Sequence, residues 1–113
     1  MTLQTIAKQL IGRIKQDPLF VRQRRFNVEV FGRFRIYGRL ANSPIPCFML
    51  QSIWLDENYR GKGLFTALVE EALKEWGLPV YVQSVENEAF AAALRNNPLW
   101  ESAPGGVNFI RRY

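Results

Sequence analysis

The chain has 113 residues, of which 48% are hydrophobic and 13% aromatic, and its net charge is +5. This length predicts a single domain over residues 1–113, and the apolar content excludes a disordered chain. With no histidine and one cysteine, Cys47, histidine-based catalysis, Cys/His zinc sites and internal disulfides are excluded. No apolar run reaches the roughly 20 residues of a membrane-spanning helix. We therefore expect a reducing, cytoplasmic location, no membrane partner and no metal.

The positive charge is concentrated at the start of the chain. Residues 1–41 hold nine lysines and arginines against two acidic residues, whereas the remainder holds six against eight. This asymmetry favours an anionic partner such as nucleic acid, an acidic protein or the phosphates of a ligand. A solvated basic surface without a partner is the alternative.

Residues 1–25 are predicted to form a helix and a basic connector. Apolar residues recur at helical spacing from Thr2 to Gln16. Thr2 is suited to cap this helix, and Asp17 before Pro18 is expected to end it, because a residue before proline avoids helical angles. The connector runs from Val21 to Arg25.

Residues 26–113 are predicted to form the core. The apolar spacing changes to two at residue 26, which predicts two strands, over 26–30 and 34–40, separated by a turn at Gly32. The apolar run from Cys47 to Leu55 is broken only by Gln51 and Ser52 and is typical of a central buried strand. Tryptophans at 54 and 100 are expected in the core.

A helix from Gly63 to Trp76 is predicted next, followed by a strand from Pro79 to Val85 and a helix from Asn87 to Arg95. Two short strands, over 99–100 and 107–110, complete the chain. This order predicts an α+β fold around a mixed sheet, and the strands on either side of the first of these helices must be parallel.

The loop from Asn58 to Gly63 lies between a buried strand and an amphipathic helix. Unpaired N–H groups and the positive end of the dipole make a helix N-terminus an anion site, and glycines allow close approach of phosphate oxygens. The spacing of its glycines, Gly61 and Gly63, matches neither a P-loop nor a dinucleotide-binding fingerprint. A glycine-rich turn that only starts a helix is the alternative.

The stretch from Leu55 to Leu68 resembles the acetyl-coenzyme A signature of the GNAT N-acetyltransferase superfamily, Gln/Arg-x-x-Gly-x-Gly/Ala. Gly61 and Gly63 match this signature, whereas Asn58 stands where the family has Gln or Arg. The segment from Val85 to Phe90 is similar to a second family segment, in which an asparagine opens a helix. The resemblance covers about residues 26–113 and implies a mostly antiparallel sheet with a central, splayed parallel strand pair and helices on both faces.

The resemblance also implies roles for individual residues. The backbone from residue 60 to 65 would hold the pyrophosphate, and that of residues 53 to 55 would pair with the pantetheine. The backbone at Leu55 would also polarise the thioester, and Asn87, Phe90 and Leu94 would contact the pantetheine and its thiol end. The implied cofactor residues are Ile53, Trp54, Leu55, Arg60, Gly61, Lys62, Gly63, Leu64, Phe65, Asn87, Phe90 and Leu94.

Two features depart from the family pattern. Leu94 stands where many members have a tyrosine that protonates the thiolate. Tyr81, Ser84 and Tyr113 are the possible substitutes, and the sequence does not select among them. Glu86 is the first candidate for a general base and Glu57 the second; a charge that stabilises a helix N-terminus is the alternative for Glu86. The chain also lacks part of the N-terminal elements that cover the acceptor site, so we expect an open acceptor side.

The expected function is transfer of an acetyl group from acetyl-coenzyme A to an amine, on a macromolecule such as a protein lysine. One alternative is a binding or inhibitory module that has lost the chemistry. Another is a nucleic-acid-directed protein that uses the basic N-terminal third, where Arg22, Arg24 and Arg25 alternate with Phe20 and Phe26 and where Arg33, Arg35 and Arg39 follow along one strand face.

Overall fold

The computed structural model describes residues 2–30, 32–43, 45–55, 63–85, 87–103 and 107–112. Within these ranges the chain forms four helices and six strands. In chain order they are α1 (Leu3–Gln16), α2 (Pro18–Gln23), β1 (Arg25–Val30), β2 (Phe34–Ala41), β3 (Cys47–Leu55), α3 (Leu64–Trp76), β4 (Val80–Val82), α4 (Glu88–Asn96), β5 (Trp100–Ala103) and β6 (Asn108–Arg111).

Helix α2 replaces most of the predicted basic connector. Asp17 ends α1 as expected, but its carboxylate also accepts the backbone N–H of Leu19 at 3.0 Å and that of Asn27 at 3.1 Å. The first of these bonds caps α2, and Pro18 occupies the first helical turn, where its missing N–H costs nothing. Phe20 is buried on this helix. The helix was not predicted, because the segment is short and rich in arginine and has Phe20 as its one buried side chain.

The described strands form a six-stranded mixed sheet in the order β1-β2-β3-β4-β6-β5. Only β3 and β4 pair in parallel, and α3 connects them, as the sequence predicts. The other described pairs are antiparallel. The parallel pair therefore lies in the middle of the sheet, with two strands on each side.

The main core lies on one face of this sheet. Buried side chains from all four described helices belong to one cluster with strand residues such as Phe48 and Val82. Helix α4 packs on this same face, since the guanidinium carbon of Arg95 lies 6.0 Å from the centre of the Phe109 ring, and Phe109 is the register partner of Val82. The prediction of helices on both faces is thus wrong for the described helices.

A line of aromatic rings joins the N-terminal helices to the sheet. Phe26 and Phe48 stack at 5.2 Å between ring centres, and Phe48 stacks on Trp76 at 4.6 Å. Phe20 contacts both ends of this line, at 6.0 Å from Phe26 and 5.8 Å from Trp76. Phe20 and Phe26 are therefore core residues and not part of a nucleic-acid-binding surface.

A smaller cluster lies on the opposite face of the sheet and contains Cys47. Its buried members come from the described strands and are Cys47, Met49, Tyr81, Ala103 and Ile110. Cys47 is fully buried, and this burial raises the pKa of its thiol, while the charge of Arg39 opposes the rise to a smaller extent.

We expect the Cys47 thiol to resist Ellman's reagent in the native protein and to react fully in denaturant, since the thiolate is the reactive form. A thiol pKa raised by folding contributes stability that is fully present below the pKa of the unfolded thiol. That stabilisation is lost as the pH rises through the folded pKa, so the free energy of unfolding should fall in this alkaline window. Rapid labelling of Cys47 at pH 7 without denaturant would contradict its burial in the smaller cluster.

Candidate functional site: a cleft between the parallel strands

The two central strands run side by side for three residue pairs and then separate. The last pair is Leu50 with Val82, followed by a hydrogen bond from the N–H of Gln83 to the carbonyl of Leu50 at 3.0 Å. Strand β3 continues to Leu55, paired with β2 on its other side. In the part of the chain that the structure describes, no strand pairs with β3 beyond Leu50 on the β4 side.

The divergence has a local cause after β4. Ser84 adopts a left-handed conformation with φ of 55°, which turns the chain away from β3. Its N–H donates to Oδ1 of Asn108 at 2.8 Å, and the N–H of Val85 donates to the carbonyl of Val107 at 2.8 Å. These two donors are thus directed toward β6. A non-glycine residue at positive φ costs about 1–3 kcal/mol and is concentrated at functional sites.

A β-bulge shapes the β3 side of the cleft. The register with β2 passes from Gly38–Leu50 to Tyr37–Ser52, so Gln51 is an additional residue without a partner. Because one additional residue reverses the alternation, Ile53 turns toward the core, whereas Trp54 turns to the opposite face and is 46% exposed. The expectation that Trp54 lies in the core is therefore wrong.

The space between the separated strands is a cleft of about 350 Å³. This is the lower part of the range of about 300–1,000 Å³ that small-molecule sites occupy. Near its inner end, Nε2 of Gln51 donates to Oε1 of Gln83 at 3.1 Å and links the two walls. The lining residues are Leu50, Gln51, Ser52, Ile53, Val82, Gln83, Ser84, Val85, Asn87 and Phe90.

The N-termini of two helices meet at this cleft. Helix α3 begins after Gly63, which has φ of 87° and provides no side-chain cap for the N–H groups of the first turn. Helix α4 begins after Asn87, whose Oδ1 accepts the N–H of Phe90 at 2.9 Å. Phe65 in the first turn of α3 contacts Phe90 edge to face at 4.8 Å. The positive ends of both helix dipoles therefore flank one cleft.

The structure brings together most of the described residues that the sequence analysis assigned to a cofactor. Ile53, Asn87 and Phe90 line the cleft, and Gly63 and Phe65 lie at the adjoining helix start. Leu64 is buried in the core, so that it can contribute its backbone alone. Arg60, Gly61 and Lys62 lie outside the described residues, as does the side chain of Leu55, whose backbone pairs with Phe34.

Two other assignments are not brought to the cleft. Leu94 is 4% exposed and belongs to the main core, so it does not line the site. Tyr81 lies on the opposite face, because it is the register partner of Met49 and Ile110 in the smaller cluster. The side chain of Trp54 points to that same face, whereas the role assigned to Trp54 is that of its backbone on the edge of β3. Tyr81 is 5% exposed and is not among the lining residues, so it is wrongly placed to donate a proton in the cleft. Glu86 and Glu57 lie outside the described residues.

Three polar groups of the cleft walls were missed as site residues, namely the amides of Gln51 and Gln83 and the hydroxyl of Ser52. Ser84, one of the substitutes considered for the tyrosine, does line the cleft. A signal was present, since Gln51 and Ser52 are the only polar residues within the run from Cys47 to Leu55. Polar residues in a central strand mark a place where that strand meets water or a ligand.

The described lining of the cleft is neutral. None of the described lining residues is ionisable, and the described part of the chain holds no group of three or more potential metal ligands. Among the described helices, none has the length and apolar character needed to cross a membrane.

Comparison with known proteins gave no matching family model, no similar curated protein and no similar solved structure.

Proposed function

We propose that this chain is a GNAT-like N-acetyltransferase, which binds acetyl-coenzyme A in the cleft between β3 and β4 and transfers the acetyl group to an amine. The observation that carries the proposal is the separation of the central parallel strands beside the uncapped N-terminus of α3. The strand order and the single parallel pair support the same fold assignment.

The cleft suits the chemistry of the cofactor. The pantetheine arm is an extended chain with two amides, and the open edge of β3 beyond Leu50 offers backbone partners in the manner of an added strand. Pyrophosphate is an anion, and the first turn of α3 offers N–H groups with the positive dipole end. Phe90 and Ile53 offer apolar surface for the methylene groups between the amides.

The proposed reaction is direct attack. The neutral amine nitrogen forms a bond to the thioester carbon, the carbon–sulfur bond breaks, and coenzyme A leaves as a thiolate. The proton lost by the amine passes to the predicted base, Glu86 or else Glu57, or to an ordered water; both glutamates lie outside the described residues, and Glu86 falls in sequence between Val85 and Asn87 of the cleft lining. Catalysis would then rest on positioning and on a backbone N–H of β3 that stabilises the developing oxyanion.

A non-catalytic binding module is the second candidate. Leu94, which stands where many family members have the proton-donating tyrosine, favours it, as does the finding that Tyr81 is not among the described lining residues. Release of free coenzyme A thiol distinguishes the two, measured with Ellman's reagent in the presence of a polyamine, a lysine peptide or an amine-bearing nucleoside. A transferase releases thiol only when an acceptor is present, whereas a binding module releases none above the rate without protein.

Two substitutions of Asn87 distinguish its role as the cap of α4 from a direct contact with acetyl-coenzyme A. Asn87→Asp keeps the carbonyl-type oxygen that caps α4 but loses the amide donor, so we expect unchanged stability and an affinity for acetyl-coenzyme A that is lower by about threefold or more. Asn87→Ala should lose both the capping oxygen and the amide donor. We therefore expect a lower affinity and a loss of about 1 kcal/mol of stability. Calorimetric titration and urea denaturation measure the two effects. An affinity reduced in the alanine variant but not in the aspartate variant would contradict a direct contact.

A further inference from the structure

On the face of the sheet opposite the helices, most of the described side chains of β1, β2 and the second half of β3 are exposed. Register partners share a face, and each row across these strands can be read from the pairing: Glu29–Arg35–Trp54, Asn27–Tyr37–Ser52 and Arg25–Arg39–Met49. We call the described residues of this surface the outer face; they are Arg25, Asn27, Glu29, Arg35, Tyr37, Arg39, Ser52 and Trp54.

Two aromatic side chains are displayed on the outer face. Tyr37 is 40% exposed and Trp54 is 46% exposed, and they are the aromatic members of the exposed large hydrophobic residues in the described part of the chain. Tyr37 stands opposite Ser52, two residues from Trp54 on β3, so the two residues are diagonal neighbours, with Cα atoms roughly 7–8 Å apart. At this separation each ring can stack on a different planar group.

Positive charge surrounds these rings. The outer face carries Arg25, Arg35 and Arg39 against a single carboxylate, that of Glu29. The guanidinium of Arg35 lies 3.4 Å from this carboxylate, which leaves an excess of positive charge on the surface. Arginine beside exposed aromatic rings provides both phosphate contacts and stacking surfaces.

A second cavity lies at the edge of the outer face. It measures about 250 Å³, and Trp54 forms one of its sides. The carboxylate of Glu29 offers a hydrogen-bond acceptor there, and the guanidinium of Arg35 offers donors. A flat heterocycle on the indole would thus find hydrogen-bonding partners for its edge, which is how unpaired bases are recognised.

We propose that the outer face binds single-stranded nucleic acid, with two successive bases stacked on Tyr37 and Trp54 and the backbone phosphates held by the arginines. A duplex offers no free base faces to these rings, so a single strand is the better fit. This binding does not depend on acetyl transfer. Ser52 belongs both to the outer face and to the cleft lining, so a bound strand would pass beside the cleft.

Fluorescence anisotropy with a labelled 12-nucleotide single strand tests the proposal. We expect Tyr37→Ala and Trp54→Ala each to weaken binding at least fivefold, and Tyr37→Phe and Trp54→Phe to retain it, because stacking requires only a ring. Arg25→Gln should reduce the slope of log affinity against log salt by about 0.7, the value for one phosphate contact with a single strand. Lys8→Gln, an exposed residue of α1, is the matched control and should leave the affinity and the slope close to those of the parent.

Three results would overturn the proposal: tighter binding of a duplex of the same sequence, equal binding of poly-glutamate at the same salt concentration, or binding that is unchanged in both alanine variants. Circular dichroism of each variant excludes loss of fold as the cause of weaker binding. Because acetyl-coenzyme A titration is a separate measurement on the same samples, failure of the nucleic-acid site and failure of the cofactor site can be told apart.

Discussion

Gly38→Ala is expected to lower the free energy of unfolding by about 3 kcal/mol or more. Gly38 is the register partner of both Phe26 and Leu50, at the point where β2 meets the bulge of β3. A Cβ at this position would overlap the carbonyl oxygen of Met49 and lie 2.8 Å from a ring carbon of Phe26. Backbone cannot move aside as a flexible side chain can, so β3 would have to shift. Urea denaturation measures the change.

Gly12→Ala is the matched control for this substitution. Gly12 lies in α1, and a Cβ there meets no atom within 4 Å. Alanine should therefore raise stability by about 0.5–1 kcal/mol through its helix propensity. A Gly38→Ala variant within 0.5 kcal/mol of the parent would show that β2 and β3 do not pack as described, and the bulge that shapes the cleft would then be in doubt as well.

Gly63→Asp is expected to weaken acetyl-coenzyme A binding by at least tenfold. A carboxylate at the start of α3 would occupy the N–H groups proposed to hold the pyrophosphate and would repel it. Two like charges 4 Å apart near a protein surface interact by about 4 kcal/mol before further screening, so a tenfold effect is a conservative expectation. A new Cβ has room, because its nearest atom is Cδ1 of Leu3 at 3.7 Å, but the φ of 87° should make the substitution cost about 1–3 kcal/mol of stability.

Gly63→Asn separates charge from shape in this experiment. Asparagine has nearly the same size, also tolerates positive φ and can cap the helix in the same way, but it is neutral. We expect calorimetric titration to give an affinity for Gly63→Asn much closer to that of the parent than to that of Gly63→Asp. Equal loss in both variants would mean that bulk or strain, and not the charge of the ligand, determines binding at this helix start.

Local patterns predicted the elements that are defined by near neighbours in sequence. The two-residue alternation from Phe26 predicted the β1–β2 hairpin, and the apolar spacing between Leu64 and Trp76 predicted α3. The cap at Thr2 is observed, with Oγ1 accepting the N–H of Thr5 at 3.1 Å. In each case the periodicity and the end signals lie within one element, so no tertiary information is needed.

The features that local patterns could not predict depend on pairing between distant strands. Trp54 changes face because of a bulge at Gln51, and Tyr81 faces away from the cleft because of its register with Met49. The predicted strand from Pro79 to Val85 is reduced to Val80–Val82, since Ser84 turns the chain toward β6. An apolar run alone does not reveal which of its residues will lose a partner.

The most direct test of the proposed cofactor site is a ¹H–¹⁵N nuclear magnetic resonance titration of the protein with acetyl-coenzyme A. Binding in the cleft predicts saturable shifts for the amides of its walls, such as Ile53 and Ser84, and of the first turn of α3, at Phe65, with little change along α1. We expect half-saturation at micromolar ligand, which corresponds to a binding free energy of about −8 kcal/mol. No shifts at millimolar ligand, or shifts confined to the arginines of the outer face, would contradict the proposal that this cleft holds the cofactor.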